Sequence, residues 1–358
     1  MRKLLFNLHL YVALIAGVFV LLLGLTGAIM AFEPELDHVL HASLSYVTPG
    51  DRRLTLVELG DVVAKAFPGE RTTGYSVSKS PGISAGVFTK RGQVMVNPYT
   101  GAVLGVRPPG PDFLANVHQL HLRLLIRNKG DTGKKIVSWA GVAMLVVLIS
   151  GLYLWWPVKR VSIGGKTTGR RWWFDLHNAV GIFSLLFLLV LSATGVMIGF
   201  EESTVPMLYR MTGSAPATAP KIPPPPPGAK RISPDQAMEI ARQALPGTFP
   251  FQINVPPPNG AYQIRSRFPE DLTGGGRSRV VVDAYTGAVL FAEGSRTAPA
   301  GARLVILNRA LHTGDVFGIP SKAMMSLACL MAVLQVVSGL TMWWKRTRLT
   351  GRARKNPA

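Results

Sequence analysis

Hydrophobic positions are concentrated in four places along this chain. Apolar runs at about 8–32, 136–156, 174–200 and 321–344 each reach the roughly 20 residues needed to cross a bilayer as a helix. Between the first and second runs, and again between the third and fourth, the pattern changes. "TLVELGDVVAKAF" (55–67) and "SPDQAMEIARQAL" (233–245) place apolar residues at helical spacing. Thr55 and Ser233 stand where helix caps belong. Strand-like runs follow, "GQVMVNPYTGAVLG" (92–105) and "SRVVVDAYTGAVLF" (278–291). Their Tyr-Thr-Gly steps read as turns between paired strands, with Tyr99 and Tyr285 as turn or core residues.

The pattern is written twice. Leu8 to Glu33 aligns without gaps on Leu176 to Glu201, which sets His9 on His177, Thr26-Gly27 on Thr194-Gly195 and Phe32-Glu33 on Phe200-Glu201. Downstream, "VNPYTGAVL" (96–104) matches "VDAYTGAVL" (282–290), Leu120-His121 matches Leu311-His312, and "SGLYLWW" (150–156) matches "SGLTMWW" (338–344). Each half therefore reads span, external domain, short amphipathic stretch, span. Two crossings per half make the repeats parallel, so matching residues lie at matching depths. The expected fold is a membrane α-helical bundle of four transmembrane helices, built from two parallel repeats, with two small α+β external domains. Its parts are span one (1–32), external domain one (33–110), an interfacial helix and span two (111–157), a basic loop (158–173) and span three (174–200). A proline-rich linker with external domain two (201–302), an interfacial segment with span four (303–344) and a basic tail (345–358) complete it. "APATAPKIPPPPPG" (215–228) reads as a stiff spacer.

Charge orients this arrangement. The net charge is +20, yet its distribution argues for topology, not for nucleic-acid binding. Arg2 and Lys3 precede span one; Lys159, Arg160, Lys166, Arg170 and Arg171 fill the loop after span two; Lys345, Arg346, Arg348, Arg352, Arg354 and Lys355 fill the tail. All three segments fall on one side of a four-span chain, which the positive-inside rule makes the cytoplasm. Six of the seven tryptophans (Trp155, Trp156, Trp172, Trp173, Trp343 and Trp344) fall near the same face, as an interfacial belt does. The first span reads as an uncleaved anchor. The one cysteine, Cys329, lies inside span four, so the external domains hold together without disulfides. No C-x-x-C-H occurs, which excludes covalent c-type haem.

Candidate chemistry rests on the histidines. Of seven, four form repeat-related pairs: His9 with His177 near the cytoplasmic ends of spans one and three, and His121 with His312 before spans two and four. Two pairs, one at each face, point to two histidine-ligated metal centres. Haem suits an apolar bundle with two imidazoles per site. Zinc wants four ligands, or three and a water. The i, i+3 pairs His118/His121 and His38/His41 keep zinc or copper open as the weaker option. Arg309 replaces His118 in the second half; it, Arg123 and Arg127 are candidates to meet a haem propionate. Asp175 is expected to cap the start of span three, with Asp175 and Asn7 as further candidates to orient the nearby rings.

"LHxxxG" opening a span, a "YTGxVL" hairpin, an "LH" before the next span and a closing "SGLYLWWP" together resemble the PepSY-associated transmembrane family, over roughly 1–346. The second half departs mildly, with "SGLTMWWK". The resemblance implies an inner-membrane protein of bacteria with both termini cytoplasmic and two periplasmic PepSY-like domains. It implies two non-covalent b-type haems and reduction of ferric iron held by a siderophore. His9 and His177 would hold an inner haem, and His121 and His312 an outer one, with His118, His38 and His41 as alternative outer ligands. No G-x-G-x-x-G opens a strand–helix unit, so no flavin or NAD site is evident and the electron donor is external, a quinol or a separate reductase. Arg265, Arg267, Arg277 and Arg279 are candidates to attract an anionic siderophore, or are a solvated strand face. The alternative is a membrane-anchored PepSY binding or regulatory protein without redox activity. Transport through the bundle is disfavoured, because no broken helices are evident.

Overall fold

The computed structural model describes residues 1–157, 161, 168–257 and 260–355; beyond 347 it describes backbone only. The expected loop charges Lys159, Arg160 and Lys166 lie outside the described residues. In chain order the helices are α1 (Arg2–Met30), α2 (Glu33–Leu40), α3 (Ala42–Ser45), α4 (Leu56–Ala66), α5 (Phe113–Arg123) and α6 (Thr132–Trp155). They continue as α7 (Gly169–Gly199), α8 (Glu201–Met211), α9 (Pro234–Ala244), α10 (Ala300–Thr313) and α11 (Ile319–Lys355). Strands are β1 (Gly74–Ser76), β2 (Ala85–Thr89), β3 (Gly92–Val96), β4 (Val103–Arg107), β5 (Phe249–Asn254), β6 (Ala261–Arg267), β7 (Ser278–Asp283) and β8 (Val289–Glu293). These elements divide into two units, a helical one and one built on a sheet.

The helical unit contains four helices long and apolar enough to span a membrane: α1, α6, α7 and α11 over Ile319–Thr347. α1 packs against α6 and α11, and α7 packs against the same two, so α1 and α7 are diagonal neighbours. Small side chains line the seams, among them Ala16, Ser150, Ala179, Ser184, Ala328 and Ser338. Without water to drive association, close backbone approach and hydroxyl bonds hold such a bundle. Gly24 shows how tight the approach is: a Cβ there would lie 2.8 Å from the Cys329 carbonyl of α11. Large apolar side chains such as Ile15, Val18, Phe183 and Leu186 face outward, as they do in lipid.

α7 starts earlier than the hydrophobic pattern implied. Its amphipathic first turns, from Gly169, carry Arg171, Trp172 and Trp173. Asp175 is therefore buried inside the helix and is no cap; it pairs with Arg171 one turn back at 3.0 Å.

In the sheet unit a helix followed by four antiparallel strands occurs twice. Each helix opens with a complete capping box, Thr55 with Glu58 in α4 and Ser233 with Gln236 in α9. Two separate external domains were expected; the structure instead joins all the strands into one eight-stranded sheet, ordered β4-β3-β2-β1-β5-β6-β7-β8. The seam is the β1–β5 pairing, Gly74 with Asn254, Tyr75 with Ile253 and Ser76 with Gln252. Leu59 and Val63 of α4 and Ala237 and Ala241 of α9 pack on one face, over Val87, Val94, Ile253, Ile264 and Val280. One core thus serves both halves. The two Tyr-Thr-Gly steps are turns as expected, with Gly101 and Gly287 both at φ 73°. Asn97 and Asp283 accept the following backbone N–H groups.

Candidate functional site

All four repeat-related histidines lie in the helical unit, and each makes the same kind of contact. Nδ1 of His9 on α1 lies 3.0 Å from Ser150 Oγ on α6. Nδ1 of His177 on α7 lies 2.8 Å from Ser338 Oγ on α11. Nδ1 of His121 on α5 lies 2.9 Å from Thr26 Oγ1 on α1, and that of His312 on α10 lies 3.0 Å from Thr194 Oγ1 on α7. The residue after each hydroxyl is a glycine. A Cβ at Gly151, Gly339, Gly27 or Gly195 would meet the Cε1 of the same imidazole at 3.2, 3.6, 3.3 or 3.0 Å respectively. Ser/Thr-Gly is thus a two-residue seat: the hydroxyl holds one ring nitrogen and the missing side chain lets the ring approach the helix closely.

Hydrogen-bond bookkeeping then fixes the tautomer. Each hydroxyl donates its single proton to a carbonyl one turn back in its own helix. Thr26 donates to Leu22 at 2.7 Å, Ser150 to Val146 at 2.6 Å, Thr194 to Val190 at 2.6 Å and Ser338 to Gln335 at 3.0 Å. Only lone pairs remain for the imidazole, so Nδ1–H donates, and Nε2 has no hydrogen-bond partner among the described residues. Two backbone carbonyls, which can only accept, agree: Val147 lies 3.1 Å from His9 Nδ1 and Leu191 lies 3.1 Å from His312 Nδ1. A neutral imidazole with Nδ1 bonded and Nε2 free is the form that ligates a metal. For His121 and His312, burial pushes the ring pKa well below the ordinary histidine range, which keeps them neutral at physiological pH.

One repeat-related pair of rings comes together. His121 and His312 have ring centroids 6.3 Å apart, with planes at 57°. Nitrogen–metal bonds of about 2.0–2.1 Å and a ring radius of roughly 1.1 Å put the centroids of a linear imidazole–metal–imidazole unit about 6.3 Å apart. His9 and His177 sit on the diagonal helices α1 and α7, each held by the Ser-Gly step of a neighbouring helix. Two nitrogens per pair fall short of a zinc site, whereas a macrocycle supplies its own four equatorial donors.

Most of the other candidates have partners of their own. His118, one turn from His121, bonds the Glu33 carboxylate at 2.9 Å. His38 and His41 belong to the sheet unit. There His41 meets Asp37, which also receives both terminal nitrogens of Arg107, and His38 packs on the Tyr46 ring. Arg123 pairs with Asp131 at 2.8 Å, and Arg309 lies one turn before His312 on α10. The hydroxyl seats take the orienting part expected of Asp175 and Asn7. The signal was present in the sequence, because both Thr-Gly steps and both Ser-Gly steps recur at matching positions.

Four helices long and apolar enough to span a membrane, with four repeat-related histidines each held by a Ser or Thr hydroxyl, define a polytopic membrane protein. The chain belongs to the family described as PepSY-associated TM region, whose match spans residues 6–346. No curated protein matches the sequence.

Proposed function

We propose that this chain is a dihaem ferric reductase of the bacterial inner membrane, carrying electrons outward to iron(III) held by a siderophore. Bound haem b would supply one-electron transfer between its ferric and ferrous states. The observation that carries the reading is the set of four imidazoles with Nδ1 tied and Nε2 bare. His9 and His177 hold the inner centre, and His121 and His312 the outer one. Seventeen residues separate His9 from Thr26, about 25 Å of helix, so the two clusters lie near opposite ends of the spans. Lys and Arg flank the His9 end, which makes it cytoplasmic by the positive-inside rule and makes the sheet unit periplasmic. One electron converts Fe(III) to Fe(II), which hard oxygen ligands hold more weakly, and the iron is released. The donor is a quinol or a separate reductase, in keeping with the lack of a dinucleotide-binding motif.

An absorption spectrum and a pyridine haemochrome count on purified protein test this. Two six-coordinate low-spin haems per chain are expected. His121→Ala or His312→Ala should remove one and spare the other, and His9→Ala or His177→Ala should do the converse. Protein that stays colourless when expressed with ample haem, and gains no low-spin spectrum when haem is added, rejects the reductase and leaves a membrane-anchored binding role.

A further inference from the structure

One face of the sheet unit carries a charge arrangement that folding alone does not favour. Arg265 on β6 and Arg279 on β7 are direct cross-strand partners in the antiparallel ladder. Like charges placed opposite one another destabilise a sheet. Both are exposed, on the face opposite the α4/α9 core, and Arg267 and Arg277 follow at the mouth of the hairpin loop.

Neutral groups occupy the guanidiniums of Arg265, Arg267 and Arg279. Arg265 donates to the Gly275 carbonyl at 2.8 Å and to Gln252 Oε1 at 3.4 Å, and Arg267 to the Gly274 carbonyl at 3.4 Å. Arg265 lies over the Phe251 ring and Arg279 over Phe291, at 5.3 and 4.8 Å from the centroids. Two of the nearby acids are committed elsewhere: Glu270 to Arg296 at 2.6 Å, and Asp271 to Ser295 and the Phe268 N–H. Glu293 stands beside Arg279 in register, yet the guanidinium turns to the aromatic ring. Nor does the hairpin require arginine there. Aligned on the Tyr-Thr-Gly turns, the first half carries Gln93 in place of Arg279, and its cross-strand partner is Phe88.

We infer that the Arg265/Arg279 face of the β6–β7 hairpin is a docking site for an anionic ferric chelate, one whose iron is held by catecholate or carboxylate oxygens. Guanidinium forks match paired oxyanions, and the phenyl rings beside them suit a flat catecholate. The inference rests on the reductase reading for the identity of the substrate, and on the sheet alone for the site.

Full-length protein in nanodiscs of zwitterionic lipid, oxidised and without an electron donor, is titrated by calorimetry with two synthetic probes: a trianionic hexadentate ferric tris-catecholate and a neutral hexadentate ferric tris-hydroxamate. Wild type should bind the anionic probe at least tenfold more tightly, with an affinity that falls as salt is raised. R265Q/R279Q should abolish that preference and leave the neutral probe unchanged; R265K/R279K should recover part of it. If the double variant misfolds, R279Q alone should reduce the preference. Equal binding of both probes to wild type, or an undiminished preference in the variants, overturns the inference. So does capture of phosphatidylglycerol vesicles without capture of the chelate, which assigns the arginines to lipid. Haem is counted on the same samples. Colourless protein that still discriminates keeps the anion site and loses the reductase, and haem-loaded protein that does not discriminate does the reverse.

Discussion

A hydroxyl holds Nδ1 of all four repeat-related histidines, and in the proposed reductase that contact would orient each ring toward its iron. Thr26→Val keeps the shape of the seat and removes the acceptor for His121 Nδ1. Haem affinity at the outer centre should fall by about 10–100-fold, while Thr26→Ser restores it; spectroscopic haem titration measures both. Repetition within the sequence marked the four histidines and the four Ser/Thr-Gly steps, but it could not join them. The joining is between helices: Thr26 on α1 serves a ring on α5, and Ser150 on α6 serves a ring on α1. Sequence spacing within one helix carries no information about which helix is its neighbour. Asp175 and Asn7 are polar and two residues from a histidine, yet i, i+2 positions do not share a helical face. Outside the spans, Glu58 offers a pH handle. Hydrogen bonds from Arg52 first, then from the Thr55 backbone, lower its pKa to about 2 from the ordinary 4.5. A depressed carboxylate pKa adds stability above the unfolded-state value, and that stability is lost as pH falls through the folded one. The Glu58 resonance should therefore titrate near pH 2, and Glu58→Gln should flatten the acid limb of the stability profile; NMR titration and acid unfolding check these.

At the scale of elements, caps and turns were the most legible features, because their causes are local. Thr55 and Ser233 cap where expected, and both Tyr-Thr-Gly steps turn. The start of α7 was misplaced because its first turns are amphipathic and carry arginine, so a search for apolar runs passes over them. One link between elements had no sequence signature. Asp235, in the first turn of α9, accepts the N–H groups of Leu56 and Val57 at 2.7 and 3.0 Å and so also caps α4. A carboxylate there satisfies two orphan donors and meets the positive end of the helix dipole. Asp235→Ala should cost about 1 kcal/mol, with Asp235→Asn milder; thermal unfolding followed by circular dichroism measures the difference. The matching residue of the first half is Val57, so the cap runs one way only.

Over the whole molecule, the four spans were plain from hydropathy and the family from its motifs, but the union of the two sheets was not. Pairing β1 with β5 joins residues nearly 180 positions apart, and nothing local in Gly74–Ser76 announces a partner. A side chain at Gly74 would strike the Ile253 carbonyl at 2.7 Å, so the absence of a Cβ is a condition of the seam. That ladder has a practical consequence. The proline-rich stretch 215–228 has neither helix nor strand, and it is the covalent thread between the third span and the later half of the sheet. A protease that severs this thread should yield two polypeptides that migrate separately in detergent gels yet co-elute as one particle under native conditions. The strands and the helix bundle would keep the fragments together after the peptide bond is gone.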